Sequence, residues 1–236
     1  FHLMNRIFSG LWTHPDFLKL WAGQTVSEFG SRITRSTIPL IAVITLAATP
    51  AEMGILTAAA SIPILLFSLW AGVWVDRLRR RPILMAMDFA RCALLLTIPL
   101  AAITGTLSIE LLCAVLALMS VLGLVFSTAY RAYLPSLITR EHLVEGNSKL
   151  AITDSLAEIG GPAVAGLLVQ ALRASLVPFA VLVDAATFAF SGTCFALIRQ
   201  REAEPTPRAD GRNARREIAE GARLIWRDPV LRALAI

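Results

Sequence analysis

Charge is scarce in this sequence. Of 236 residues, only 17% are Asp, Glu, Lys or Arg, and 56% are hydrophobic. The mean hydropathy is +0.66. A soluble domain carries about 25% charged residues, so this chain has too little polar surface to cover a globule in water, and lipid is the natural solvent for the excess. Cysteine and histidine are equally scarce, three of each. Cys92, Cys113 and Cys194 lie inside apolar runs, where they read as small apolar residues in helices. His2, His14 and His142 lie in short polar connections, so no Cys/His metal cluster is visible. No nucleophile–base set and no Gly-rich phosphate loop appears, which argues against an enzyme and against a nucleotide-driven pump with its own nucleotide site. No cofactor is expected. Phe1 to His14 has no small-residue cleavage motif of a signal peptide. An opening Phe is what missing first residues would leave.

What is present is a series of long apolar runs. A membrane-crossing helix needs roughly 20 apolar residues. Six stretches qualify: Phe17 to Ala47, Met53 to Val75, Ile83 to Thr104, Ile109 to Leu134, Ala151 to Leu172 and Leu176 to Ile198. The connections carry helix-breaking chemistry, as in Thr49-Pro50-Ala51-Glu52, Thr104-Gly105-Thr106 and Arg173-Ala174-Ser175. Continuous helices satisfy every backbone N–H and C=O within lipid, so the expectation is an all-α membrane protein with a six-helix bundle.

The loop cations supply the orientation. Arg77, Arg79, Arg80 and Arg81 follow the second run, and Arg131, Arg140 and Lys149 flank the connection after the fourth. Eight arginines follow the sixth, from Arg199 to Arg227, whereas the other three connections carry only Arg173. The basic side alternates as six spans demand, which places both ends in the cytoplasm. The net charge of +5 is thereby a topology signal, and no nucleic-acid partner is expected.

Composition changes after Ile198. Residues 199–213 are polar, with Pro205, Pro207 and Gly211, and read as a flexible linker. Residues 214–227 place Ile218, Ala222 and Ile225 on one helical face, as an amphipathic helix on the cytoplasmic surface would. Asp228-Pro229 breaks that helix, and 230–236 reads as the start of a truncated seventh span. The expected organisation is therefore a transmembrane bundle over 1–198, a cytoplasmic linker with an amphipathic helix over 199–229, and that start of a seventh span.

Two motifs stand out. The first joins the second and third runs: Gly72-Val73-Trp74-Val75-Asp76-Arg77-Leu78-Arg79-Arg80-Arg81-Pro82. Gly72 permits close approach of another helix. Asp76, at a helix end, suits a neighbouring helix N-terminus or an Arg. A plain positive-inside anchor would use the same arginines. The second motif lies in the fifth run: Ala157-Glu158-Ile159-Gly160-Gly161-Pro162-Ala163-Val164-Ala165-Gly166. Pro162 removes a backbone donor and bends the helix, and Gly160, Gly161 and Gly166 leave a smooth packing face, which ordinary small-residue packing would equally use.

The first motif resembles the loop signature of the major facilitator superfamily, Gly-x-x-x-Asp-Arg-x-Gly-Arg-Arg/Lys, with Arg79 where Gly is usual. A non-Gly residue there is frequent in the drug-exporter branch that includes macrolide and enterobactin-type siderophore exporters. The second resembles the antiporter signature Gly-x-x-x-Gly-Pro-x-x-Gly-Gly, with Ala157 and Ala165 replacing two glycines. Trp21 to Gly30, Leu134 to Leu137, Asn147 and Glu220 to Pro229 are similar to the same branch. The resemblance covers nearly the whole chain. It implies that the chain is the N-terminal half of such an exporter, that a C-terminal half completes it, and that Gly72, Asp76, Arg77, Arg80 and Arg81 form a gating loop. It also implies a helix bend at Gly161, Pro162 and Gly166. The Arg usual in the fourth span of proton antiporters is not evident, since Arg131 lies near the cytoplasmic end.

Ionisable residues inside a span are costly and default to functional candidates. The first run holds Glu28 and Arg32, four apart on one face, with Glu28 roughly 10 Å inward from Trp21. The fifth holds Asp154 and Glu158, also four apart, with Glu158 roughly 16 Å in from Asn147. Repulsion between these two and burial both favour the neutral acid. One of them is therefore a candidate proton site, with Glu28 and Arg32 lining the substrate path; an Arg32–Glu158 ion pair holding the two spans together is the structural alternative. Asp88 and Arg91, near the cytoplasmic end of the third run, read as packing partners of the Asp76 loop. Asp184 either faces the cavity or makes a polar contact with Thr187. The function expected is secondary active transport: proton-coupled efflux of small lipophilic or amphiphilic compounds across the cell membrane, with protons, membrane lipid and a small-molecule substrate as partners. A non-transporting membrane remnant or scaffold, or an importer of a small nutrient, are the rival readings.

Overall fold

The computed structural model describes Leu11, residues 14–75, 77–138, 142–172 and 174–200, and Glu202. Six long helices account for nearly all of it: α1 Pro15–Leu46, α2 Pro50–Val75, α3 Arg80–Thr104, α4 Ile109–Leu137, α5 Leu143–Ala171 and α6 Val181–Ala196, with a 3-10 segment Ala174–Ala180 leading into α6. No strand occurs among the described residues. The observed helices extend the apolar runs by a turn or less at the starts of α1, α2 and α3 and at the end of α4, because polar flanking residues are helical too, while α6 begins five residues after Leu176, past the 3-10 segment. The larger exception is α5, which begins two turns before Ala151.

Helix limits follow from local chemistry. His14 precedes α1 and its Nδ1 accepts from Phe17 N at 3.2 Å, with Pro15 at the first position. Thr49 and Glu52 form a reciprocal cap on α2: Glu52 Oε2 accepts from Thr49 N at 2.7 Å, and Thr49 Oγ1 accepts from Glu52 N at 3.3 Å. Gly105 ends α3 at φ 70°, and Ser108 caps α4 by accepting from Leu111 N at 3.3 Å. Each of α1 to α5 contains an internal proline (Pro39, Pro63, Pro99, Pro135 and Pro162). Neighbouring helices re-satisfy freed backbone groups within a bundle.

Among the described residues, five stretches are long and apolar enough to cross a membrane: 50–68, 80–104, 109–137, 143–171 and 176–196. The sequence reading has six spans, and α1 is the difference. Its 32 residues suffice in length, but Asp16, Lys19, Glu28, Arg32 and Arg35 dilute its apolar character.

The packing order across the bundle is α5, α1, α6, α3, α4, α2. Two apolar clusters fill the interior. One includes Phe17, Leu20, Val75, Leu84, Phe126, Tyr133 and Phe195, near the end where α1 starts. The other includes Ile38, Ile41, Leu95, Ile98, Leu112, Val181 and Phe188, toward the opposite end. Between them lies a layer of buried polar groups: Ser27, Thr34, Asp88, Arg91, Asp184 and Ser191. The outer surfaces of α2 and α5 are apolar and open, as at Leu65, Leu66 and Trp70, and at Ile152, Ile159 and Leu167, which is the arrangement lipid or further protein requires.

The end carrying the loop arginines is tied together. Glu202 sits at the N-terminus of α3 and accepts from Arg80 N at 2.8 Å and Arg81 N at 3.2 Å. Arg81 covers the C-terminus of α6, donating through Nε to Phe195 O at 2.9 Å and through Nη2 to Ala196 O at 2.6 Å. An acid on orphan N–H groups and a guanidinium on orphan carbonyls both oppose the helix dipoles. Asp16 accepts from Arg199 N and Gln200 N at 3.2 and 2.9 Å. The polar segment read as a flexible linker from 199 therefore leaves the bundle anchored at its first residues. The amphipathic helix and the seventh span expected beyond it lie outside the described residues.

Candidate functional site

Two charge clusters lie at mid-length of the bundle, one reaching its open face and one in the buried polar layer. The first joins α1 to α5. Arg32 donates through Nε to Glu28 Oε1 at 2.9 Å, and its Nη1 lies 3.0 Å from Glu158 Oε2. One guanidinium thus holds a carboxylate on its own helix and one on a neighbour. Gly161 is what lets it do so: a Cβ there would overlap the Arg32 Cβ. Gly160 faces the Phe29 ring in the same seam. Glu28 and Arg32 are about one-fifth exposed, whereas the Glu158 side chain is 68% exposed. The cluster therefore starts inside the bundle and ends on its open face. Asp154, one turn away on α5, is exposed on that face, within electrostatic reach of Glu28, Arg32, Arg131 and Glu158. All four candidates of the sequence reading are thus brought together. The ion pair foreseen as the structural alternative is present.

The second cluster was not assembled by the sequence. Asp88 and Arg91, expected as partners of the Asp76 loop, are buried instead in the polar layer. Arg91 Nη2 donates to Asp88 Oδ1. Its guanidinium carbon lies 4.2 Å from the centroids of both the Phe126 and the Phe188 rings, one from each apolar cluster. Asp184 is fully buried beside it and accepts from Thr187 Oγ1 at 3.0 Å, the contact that the sequence offered as one of two options. The reason for the correction is geometric. Asp88 lies roughly 12 Å along α3 from Arg80, two turns past the loop.

Of the loop residues, Arg80 and Arg81 take part in the ties at the basic end, and Arg77 is exposed in the turn. Asp76 lies outside the described residues. A Cβ at Gly72 meets nothing within 4 Å among the described residues, and the same holds for Gly166. The reason is that both residues sit on open surfaces of α2 and α5. Pro162 lies within an unbroken α5.

The residues that sequence reasoning missed are Asp16 and Glu202. Burial raises the Asp16 carboxyl, but Lys19 and the amides of Arg199 and Gln200 outweigh it and hold the acid below its ordinary value of 3.8. The signal available was an acid in the first turn of α1, a favourable place at any helix N-terminus.

A family model described as Major Facilitator Superfamily matches residues 20–236. The chain is 31% identical over 230 residues to the multidrug efflux pump Tap of Mycolicibacterium fortuitum, covering 94% of this chain and 54% of that protein. It is 28% identical over 222 residues to an uncharacterized MFS-type transporter, y4rN, of Sinorhizobium fredii, covering 94% and 53%. To the uncharacterized MFS-type transporter YfiS of Bacillus subtilis it is 26% identical over 156 residues, covering 65% and 36%. The chain spans about half the length of the first two. No solved structure matches.

Proposed function

The chain belongs to the Major Facilitator Superfamily, a family of multi-pass membrane transporters and not of enzymes, and from that premise we propose that it is the N-terminal half of a proton-coupled exporter of small lipophilic or amphiphilic compounds. The observation that carries this reading is the Arg32 bridge. It links Glu28 to Glu158 at 2.9 and 3.0 Å and ends on the open face of the bundle. Transporters of this kind bind substrate near mid-depth between two halves that rock about it. In this reading Glu158 or Asp154 takes the proton, and Glu28 and Arg32 line the substrate path. A carboxylate that exchanges its proton also exchanges its hold on Arg32, which couples protonation to the α1–α5 seam. The similarity to a protein named as a multidrug efflux pump supports export over uptake.

The remaining assignments belong to the same proposal. Residues 1–198 form the bundle, 199–229 a cytoplasmic linker with an amphipathic helix, and 230–236 the beginning of a further span, with both ends cytoplasmic. Gly72, Asp76, Arg77, Arg80 and Arg81 gate the basic end, and Gly161, Pro162 and Gly166 shape α5. The C-terminal half, membrane lipid, protons and a small-molecule substrate are the partners.

The test is E158Q and D154N in the full reading frame, measured as gradient-driven dye export from cells with protein levels checked in the membrane. Loss of export with the folded protein retained supports the reading. Unchanged export in both removes these carboxylates from the mechanism. The same bridge favours a second reading, a purely structural tie, under which E158Q lowers thermal stability and leaves export per folded molecule intact.

A further inference from the structure

The buried cluster on α3 and α6 has no part in the mechanism above. Asp88 and Asp184 are both 0% exposed and Arg91 is 7% exposed. Two carboxyl groups thus share one guanidinium in a layer walled by apolar clusters on both sides. Arginine stays charged in proteins. With both acids ionised, the cluster would bury a net negative charge, which a low-dielectric interior strongly disfavours.

The hydrogen bonding tells the two acids apart. Asp88 holds Arg91 Nη2 directly. Asp184 accepts from Thr187 Oγ1, a hydroxyl shared with the Asp184 carbonyl at 2.8 Å. Asp184 Oδ2, Asp88 Oδ2, Thr34 Oγ1 and Ser191 Oγ are all enclosed without a hydrogen-bond partner. Thr34 Oγ1 stands beside Asp184 and Ser191 Oγ beside Asp88, each a hydroxyl that can turn its proton toward the neighbouring carboxyl. An acid proton on Asp184 leaves the buried pocket with one carboxylate on one guanidinium, the balanced charge that a low-dielectric interior favours. Space around it is tight, since a Cβ at Gly30 would overlap Thr187 Oγ1 and Asp184 Oδ1.

We propose that Asp184 is an occluded proton-holding site of the transporter, with Arg91 and Asp88 as its positioning residues. When Asp184 is neutral, Arg91 pairs with Asp88 alone, and α3 carries a balanced ion pair. When Asp184 releases its proton, two carboxylates compete for one guanidinium that Phe126 and Phe188 hold in place. The competition runs across the α3–α6 contact. The other charged or titratable groups facing the cluster are Glu28 from α1, Cys92 from α3, Cys194 from α6 and, above Phe126, Tyr130 from α4. Glu28 acts on Arg91 as well as on Arg32. The two clusters therefore form one charge ladder from the exposed Glu158 to the buried Asp184, in which five carboxyl groups, Asp154 included, face the Arg32 and Arg91 guanidinium groups.

The coupling role of this site rests on proton-driven transport as proposed above, whereas proton holding by Asp184 does not. The test uses the full-length purified transporter in lipid. Infrared difference spectra are recorded across neutral pH, with and without a transported dye, for wild type, D184N, D184E and the double variant D154N/E158Q. The expected result is a carboxylic-acid C=O band at neutral pH that persists in D154N/E158Q, shifts in D184E and is lost in D184N. A band indifferent to D184E and D184N, or no acid band at all in wild type, overturns the proposal. Should D184N fail to reach the membrane, the band shift in D184E decides in the same way. If dye addition leaves the Asp184 band untouched while an uncoupler still stops wild-type export, the coupling role of Asp184 is overturned and proton-driven export stands. If an uncoupler has no effect on wild-type export, it is the proton-driven reading that fails.

Discussion

Substituting Gly161 by Ala adds one methyl group where α5 meets α1, and that methyl overlaps the Arg32 Cβ and comes within 3.4 Å of the Arg32 Cα and carbonyl carbon. Backbone on both sides leaves no flexible tip to yield, so the helices must separate. Overpacking of this kind costs about 1–3 kcal/mol. For a chain of this size each kcal/mol moves the melting midpoint by about 2–4 °C, so G161A should melt roughly 2–12 °C lower. The ion pair itself accounts for little of that, because a half-exposed Arg–Glu pair contributes at most about 1 kcal/mol. The assay is thermal unfolding of the purified transporter in detergent, run on G161A, E158Q and G161A/E158Q. Once the methyl has displaced Arg32, removing the Glu158 charge should cost little more, so the two changes should be less than additive. Gly123, where a Cβ meets nothing within 4 Å, is the control: G123A should match or slightly exceed wild type, by about 1 kcal/mol at most from helix propensity. An unchanged midpoint in G161A, or full additivity with E158Q, would refute the close α1–α5 seam.

Two further outcomes follow from the ends of α1. Ala47 caps the helix at φ 52°, a left-handed conformation that costs a Cβ-bearing residue about 1–2 kcal/mol; A47G should therefore stabilise by about 0.5–1 kcal/mol after the extra chain freedom of glycine is subtracted, and a lowered melting midpoint would contradict it. D16N removes the charged acceptor of Lys19, Arg199 and Gln200 and should cost about 1–3 kcal/mol at neutral pH. Because the folded carboxyl lies below its ordinary 3.8, that advantage of wild type is complete above the ordinary value and fades as pH falls through the lower folded one. A wild-type advantage undiminished in strong acid would mean that the Asp16 charge is not its source.

The helices were legible because lipid imposes a simple rule, some twenty apolar residues bounded by breakers. Glu28, Arg32, Asp154 and Glu158 were legible for the same reason, since a charge in an apolar run stands out and a spacing of four puts it on one face. Which helices those faces meet is a tertiary fact, and there the sequence ran out. Asp88 and Arg91 lie three apart, which says they are neighbours but not that Phe126 and Phe188 enclose them. Asp184 is a single acid in its run, and only the α3–α6 contact brings it to Arg91. Glu202 sits in a polar stretch with prolines after it, so nothing local distinguished an anchoring acid from a linker residue. Gly72 shows the limit of such a signal: a glycine permits close packing, and among the described residues nothing lies within 4 Å of a Cβ placed there.

The most direct test of the transporter reading is dye efflux from cells expressing either this 236-residue chain or its extended reading frame, with and without an uncoupler. The account predicts that only the extended form exports and that the uncoupler stops it. Export that survives the uncoupler, or no export of any dye from an extended form that reaches the membrane, would contradict it.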